Sequence, residues 1–307
     1  MANDYAGNFS LFYDKEWTGF TKDISNVLTA IASEFLRTTR GARFLDIGCG
    51  TGQLALAFLE EGYEVVGIDY SVSQLELARE KAKKYVENGM ADFLQADAKE
   101  LQMDTRFDLI TAMYAFFNHV NITDRDIGTI FRRVESLLDD DGVFIFDLRS
   151  NIHKKMATEM TKGDGYTGFE TTLVIETEGR REEITYNEGF VLTNPAEDIY
   201  KRYQHIHHMK FPEAPKIARQ LAASGFVSFC FIEFRPGPNG PRVKLLDTPP
   251  KEHELTLVIA SKTRTISALF EGLPDLINDL DHVWSYDSFF DQTHDGHPLQ
   301  MLTSVRE

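Results

Sequence analysis

Cysteine is scarce in this chain. Cys49 and Cys230 are the only two in 307 residues, so the chain can assemble neither a disulfide framework nor a four-thiolate zinc site. Basic residues are also few: 32 Lys and Arg stand against 48 Asp and Glu, a net charge of −16. A protein that coats nucleic acid needs the opposite balance, because such binding rests on cations neutralising phosphates. Nucleic acid is therefore not an expected partner. No apolar run approaches the roughly 18 residues that span a bilayer, so no membrane partner is expected either. The opening decapeptide, MANDYAGNFS, has neither a basic start nor an apolar stretch of signal-peptide length. Together these absences point to a cytoplasmic protein whose counterpart is a small substrate or a protein partner, and they leave a homodimer open.

What is present centres on Phe44-Leu-Asp-Ile-Gly-Cys-Gly-Thr-Gly52. Apolar residues lead into three alternate glycines, and an apolar helical pattern follows at once, which predicts strand, tight turn and helix. Glycine suits such a turn because it tolerates positive φ and lets backbone approach a ligand closely. A second strand, Val65-Val-Gly-Ile-Asp69, ends on a carboxylate 17 residues past Gly52, a spacing that brings an acid beside the loop to hold a ribose diol. A nicotinamide-dinucleotide loop of the form G-x-G-x-x-G would need glycine at position 53, where Gln53 stands. That weakens an oxidoreductase reading. A third strand, Phe93-Leu-Gln-Ala-Asp97, again ends on an acid. Three strand tips carrying a glycine loop, an acid and an acid can grip a nucleoside without any phosphate.

In order and at this spacing, LDIGCGTG, VVGIDYS and LQADAKEL resemble the first three motifs of the class I S-adenosylmethionine-dependent methyltransferases. The likeness is close over roughly residues 40 to 150. It implies a doubly wound, mostly parallel α/β sheet of seven strands, with S-adenosyl-L-methionine as cofactor and no metal. By motif, Asp46, Gly48, Cys49, Gly50 and Gly52 would surround the methionine part, and Asp69 would hold the ribose hydroxyls. Tyr70 would lie on the adenine, with Ser71 beside it; Asp97 would accept from the adenine amine and the Ala98 amide would reach a ring nitrogen. Backbone around Met113 would face the amino-acid end. Phe12-Tyr13-Asp14 is similar to a Tyr-Asp signature at the start of small-molecule members, where a leader covers the cofactor, and this places Tyr13 and Trp17 there.

Other stretches complete the expectation. Ile24, Val27, Leu28, Ile31 and Phe35 recur at helical steps, behind an aromatic leader over residues 1 to 20. Strand and helix alternate from 44 to 147, which gives a parallel sheet with its ligand beyond the carboxyl ends of the strands. After the fourth strand, Tyr114, Phe117, Asn118 and His119 are candidates to reach the reacting centre. His119 is the expected catalytic base, with Tyr13 as its orienting partner. Asp147 and Arg149, with Asn151 nearby, are candidates for the substrate pocket, or else a cap and salt bridge. From about 168 to 211, β-type segments separated by turns predict antiparallel strands over the active-site mouth. Within them, alternation puts His205 and His207 on one face, where they are substrate-side candidates. The predicted parts are a helical cap at 1–40, the cofactor domain at 41–150 and 212–262, an inserted lid at 151–211, and an acidic extension at 263–307. The function this implies is methyl transfer to a nitrogen or oxygen of a small-molecule acceptor by in-line displacement. The alternative is a non-catalytic cofactor-binding module with a regulatory or protein-partner role.

Overall fold

The structure is a computed structural model, which describes residues 7–36, 40–149, 156–177, 180–235, 242–246 and 255–263. Its first element, α1, runs unbroken over Asn8–Phe35, where the sequence predicts a leader followed by a helix. Phe9, Phe12 and Tyr13 are themselves spaced three and four residues apart, so the helical pattern begins at the start of the leader.

Strands and helices then alternate through β1 (Arg43–Ile47), α2 (Gln53–Glu60), β2 (Glu64–Asp69), α3 (Val72–Lys81), a short α4 (Lys83–Glu87) and β3 (Ala91–Gln95). They continue through β4 (Phe107–Ala112), α5 (Asp124–Leu137) and β5 (Leu138–Arg149). Tight 3-10 turns at Ala98–Glu100 and Phe116–Asn118 follow β3 and β4. Next come β6 (Met156–Gly163), β7 (Tyr166–Thr177), β8 (Arg180–Asn194) and β9 (Ile199–Lys210), then α6 (Ala214–Ala223), β10 (Ser228–Arg235), β11 (Arg242–Leu246) and β12 (Leu255–Ser261).

The large sheet has the order β11-β10-β12-β5-β4-β1-β2-β3. The five strands β1 to β5 pair in parallel, and β12, β10 and β11 are antiparallel. Among the described residues the sheet has eight strands where seven were expected. The extra one, β11, is a five-residue edge strand on β10, too short for its alternation to stand out beside a Gly- and Pro-rich stretch. One face is covered by α1 and α2 through Ile24, Leu28, Ile31, Leu54 and Phe58. The other is covered by α5 and α6 through Ile130, Phe131, Val134, Ile217 and Leu221. A reciprocal Thr123–Asp126 capping box starts α5, an arrangement worth about 1 kcal/mol.

The second sheet, β6-β7-β8-β9, is antiparallel throughout. Its first strand precedes the predicted start because Met156–Gly163 is largely polar and shows no apolar alternation. The inner face rests on the amino-terminal half of α1: Phe9 and Phe12 pack with Tyr166, Val191 and Tyr203. Phe12 stacks on Tyr203 with ring centroids 4.4 Å apart. The expectations for the Trp17 side chain, for Asn151 and for the tail after residue 263 lie outside the described residues.

Candidate active site

The carboxyl ends of β1 to β4 open on a cavity of about 450 Å³, inside the roughly 300–1,000 Å³ range of small-molecule sites. Strand order reverses between β1 and β4, the position where open parallel sheets bind ligands. Gly50 has φ 54 and Gly52 φ 73, a left-handed backbone that L side chains resist. A Cβ on Gly52 would also lie 2.8 Å from the Ala78 Cβ, so this glycine lets α2 begin hard against α3.

Four of the loop amides are already committed. Gly48 and Cys49 donate to the Ile68 carbonyl at 2.8 and 2.9 Å, and Gly52 donates to the Cys49 carbonyl at 2.9 Å. The Gly50 amide donates to Asp69 Oδ2 at 2.9 Å. These four N–H groups are therefore turned inward rather than toward a phosphate. Asp69 Oδ1 accepts from the Ser71 amide at 2.7 Å, and burial pushes its carboxyl above the usual range against the pull of those amides. Asp97 accepts from the Lys99 amide at 2.9 Å and pairs with its ammonium at 3.3 Å. Asp69, Tyr70, Ser71, Asp97, Ala98 and Met113 line the cavity together with Gly48, Cys49 and Gly50. Tyr70 is 66% exposed, which leaves a ring face open for stacking. Asp46 and Gly52 stand behind this wall. Asp46 accepts from Thr111 Oγ1 at 2.9 Å, and burial pushes its carboxyl up to about 7.

Helix α1 is tied to the glycine loop by a network that sequence reasoning missed. Asp14 Oδ1 accepts from Thr51 Oγ1 at 2.6 Å and from Gln53 Nε2 at 2.8 Å, and it pairs with Lys81. Gln53 Oε1 accepts from Thr21 Oγ1 at 2.8 Å, and Thr21 in turn accepts from the Tyr114 hydroxyl at 2.8 Å. Gln53, the residue that breaks the dinucleotide pattern, thus anchors the helix over the loop. Tyr13, one residue before Asp14, lines the cavity. The available signal was a lone acid and a threonine within an aromatic-rich helix.

The loop after β4 is strained. Tyr114 and Ala115 have φ 62 and 57, each costing on the order of 1–3 kcal/mol for a non-glycine residue. Asp147 offsets part of this by accepting the Ala115 amide on both oxygens, at 2.9 and 3.0 Å; burial pushes its carboxyl up to about 7. The wholly buried Asn118 side chain donates to the Arg149 and Lys210 carbonyls at 2.5 and 2.9 Å and accepts from the Arg149 amide at 3.0 Å. Arg149 pairs with buried Glu183 at 3.2 Å.

Four sequence-based substrate candidates therefore take other places. Asn118 and Asp147 are engaged by contacts that shape the loop, and Arg149 is paired with Glu183. Phe117 sits in the core, 5.2 Å from Phe131 and 5.0 Å from Phe146, because the 3-10 turn sends it inward and its neighbour Phe116 to the cavity. Tyr114 does line the cavity.

His119 closes this turn and lines the cavity. It bridges to Met209 of β9, and the Val120 amide donates to the His208 carbonyl at 3.3 Å. Its ring lies 4.9 Å from that of His207, and the His207 ring lies 6.1 Å from that of His205. His205 stacks on Phe9 at 4.0 Å. Neither His205 nor His207 is part of the cavity wall. Burial, with His119 nearby, pushes His205 down to about 4, and burial with His119 and His205 holds His207 well below the usual histidine range. Among the described residues, no three His, Cys, Asp or Glu side chains are grouped to hold a metal ion.

Residues 44–142 match the family model described as a methyltransferase domain. The fold is the Rossmann-like fold of S-adenosylmethionine-dependent methyltransferases. A Geobacillus sp. (strain WCH70) protein that carries a methyltransferase name is 34% identical to this chain over 108 residues, 35% of this chain and 42% of that protein. The ubiquinone biosynthesis O-methyltransferase of Azorhizobium caulinodans is 30% identical over 141 residues, 45% of this chain and 53% of that protein. The chain thus spans about half the length of the curated relatives it matches. In fold, an S-adenosylmethionine-dependent methyltransferase from Clostridium acetobutylicum aligns with TM-score 0.64 at 20% identity, over 83% of this chain and 97% of that one. The sugar N-methyltransferase KedS8 from Streptoalloteichus sp. aligns with TM-score 0.59 at 16% identity, over 85% and 96%. The matched segment spans β1 to β4, and the second sheet lies outside it.

Proposed function

We propose that this chain transfers the methyl group of S-adenosylmethionine to a nitrogen or oxygen of a small-molecule acceptor by in-line displacement. One observation carries the reading: a glycine loop with four amides satisfied internally, facing two acidic strand tips. Such a site suits a nucleoside bearing hydroxyls and an amine and has little use for a pyrophosphate. Asp69 would hold the ribose hydroxyls, Asp97 and the Ala98 amide the base edge, and Tyr70 its face. Gly48, Cys49, Gly50, Met113 and Tyr13 would enclose the remainder, with Asp46 supporting from behind.

The bound sulfonium supplies an electrophilic methyl group. The chain's task is alignment, from which effective concentration alone can contribute about 7–11 kcal/mol. His119 projects from a loop braced by Asn118 and Asp147, so its ring is held at the cavity while an acceptor docks. It serves as general base for an ammonium or hydroxyl proton, with Tyr13 orienting it across the cavity. The net charge of −16 and the fold shared with a sugar N-methyltransferase both agree with a small acceptor. The experiment is to incubate the full chain with S-adenosylmethionine and a panel of small amines and alcohols, and to read formation of the demethylated product. Acceptor-dependent product is expected. Tight cofactor binding with no turnover across the panel would favour the non-catalytic module instead.

A further inference from the structure

The second sheet has one face packed and one face bare. Tyr166, Val191 and Tyr203 turn inward onto Phe9 and Phe12 of α1, and strand alternation sends their neighbours the other way. On that outer face stand Met160, Phe169, Leu173, Ile175, Phe190 and Ile206, all exposed. The register gathers them: Met160 lies opposite Phe169, Leu173 lies opposite Ile184, and Thr171 leads through Tyr186 to Ile206. Phe169, Phe190 and Ile206 are 53%, 50% and 59% exposed. Monomers rarely leave a contiguous apolar patch larger than roughly 300–600 Å² in water.

Size and charge select the occupant. Strand β7 has 12 residues; at about 3.4 Å per residue, with four strands about 4.8 Å apart, the face measures about 40 Å by about 19 Å, on the order of 750 Å². A standard protein interface covers about 800 Å² on each partner, so a second copy of the same face would cover it whole. The chain's net charge of −16 sets two copies against each other. On this face, however, the charges are mixed. Glu188 pairs with Arg202 at 2.9 Å and Glu182 with His208 at 2.8 Å, and by alternation Lys162 and Lys210 stand on it too. Two copies therefore meet there without a wall of like charge. We propose that the outer face of the β6–β9 sheet is where two copies of this chain join about a twofold axis, as sheets stacked about 10 Å apart. The proposal is independent of the transferase reading. In the pair, the sheet that braces the loop after β4 through Asn118 and Lys210 is covered on both sides.

The test is sedimentation of the purified full chain without cofactor, from nanomolar to near-millimolar concentration. A reversible dimer is expected, one that tightens as salt screens the net charge; a chain that stays monomeric throughout would overturn the proposal. Phe169→Glu combined with Phe190→Glu is expected to raise the dissociation constant about 100-fold or more. Val227→Glu, at an exposed site outside the second sheet, is expected to leave it unchanged. A dimer that survives the double variant joins elsewhere, and the proposal falls. Hydroxyl-radical footprinting of the unmodified protein needs no substitution. Met160, Phe169 and Phe190 are expected to oxidise several-fold more slowly in the dimer than in the dilute monomer, and equal rates would overturn the proposal. A last arm floats the chain with vesicles of neutral phosphatidylcholine, where no binding is expected. Flotation that the double variant abolishes would assign the face to lipid instead of a second copy.

Discussion

The two sides of the cavity are held by different means. On the β1–β3 side, the glycine loop and Asp69 brace each other across 19 residues of chain, and the strand tips carry the ligand-facing groups themselves. On the β4 side, the loop bearing His119 is held from β5 and β9, with Asn118 reaching Lys210 across 92 residues. A binding surface made of local turns can be encoded in short motifs. A reactive loop under strain needs support from distant parts of the chain, and here the second sheet provides it.

If the division is real, substitutions on each side should separate binding from turnover. The largest effect is expected at His119→Ala, which should lower turnover by about 10²–10⁴ while calorimetry shows cofactor affinity within about twofold. Equal loss of both would erase the distinction. Asp69→Ala should do the reverse. Losing a charged acceptor is worth about 1.5–3 kcal/mol, so cofactor affinity should fall about 10- to 100-fold, with saturated turnover little changed.

Asp14→Ala sharpens the boundary, because α1 touches both sides. It removes the hydrogen bonds from Thr51 and Gln53 and the Lys81 pair, and a loss of about threefold to tenfold in cofactor affinity is expected. Unchanged affinity would place α1 with the acceptor side alone.

A further test concerns pH. The folded His205 titrates at about 4 against about 6.5 unfolded. As pH falls below 6.5 the unfolded chain gains a proton that the native protein refuses, so stability present above 6.5 is lost toward pH 4. Asp46 and Asp147, both raised to about 7, act in the opposite sense: the stability they contribute is present at low pH and is lost as pH rises through about 7. His205→Gln should therefore show a shallower loss of melting temperature between pH 6.5 and 4 than the unmodified chain. An unchanged slope would mean that His205 is protonated in the fold.

What the sequence made legible follows the same division. The glycine loop, the acids ending β2 and the turn after β3, and the alternation from β1 to β5 are set by nearby residues, and their signals survive in a single chain. The role of Gln53 was half legible: its presence argued against a dinucleotide, but its partner Asp14 lies 39 residues away, beyond any local pattern. Phe116 and Phe117 exchange roles because the left-handed pair at Tyr114 and Ala115 turns the loop, and nothing but the buried Asp147 announces that pair. Arg149 looked like a pocket residue until Glu183, placed beside it by β8, satisfied its charge. The polar strand β6 and the short edge strand β11 carry too little apolar alternation to be read without their neighbours.

The central claim is that a loop closed on its own amides, beside two acidic tips, selects a phosphate-free nucleoside. Calorimetry on the purified full chain tests it most directly, with S-adenosylmethionine, its demethylated product and a nicotinamide dinucleotide titrated in parallel. The two sulfur nucleosides should release or absorb heat and raise the melting temperature, while the dinucleotide does neither. Silence from both sulfur nucleosides, or tighter binding of the dinucleotide, would contradict the claim.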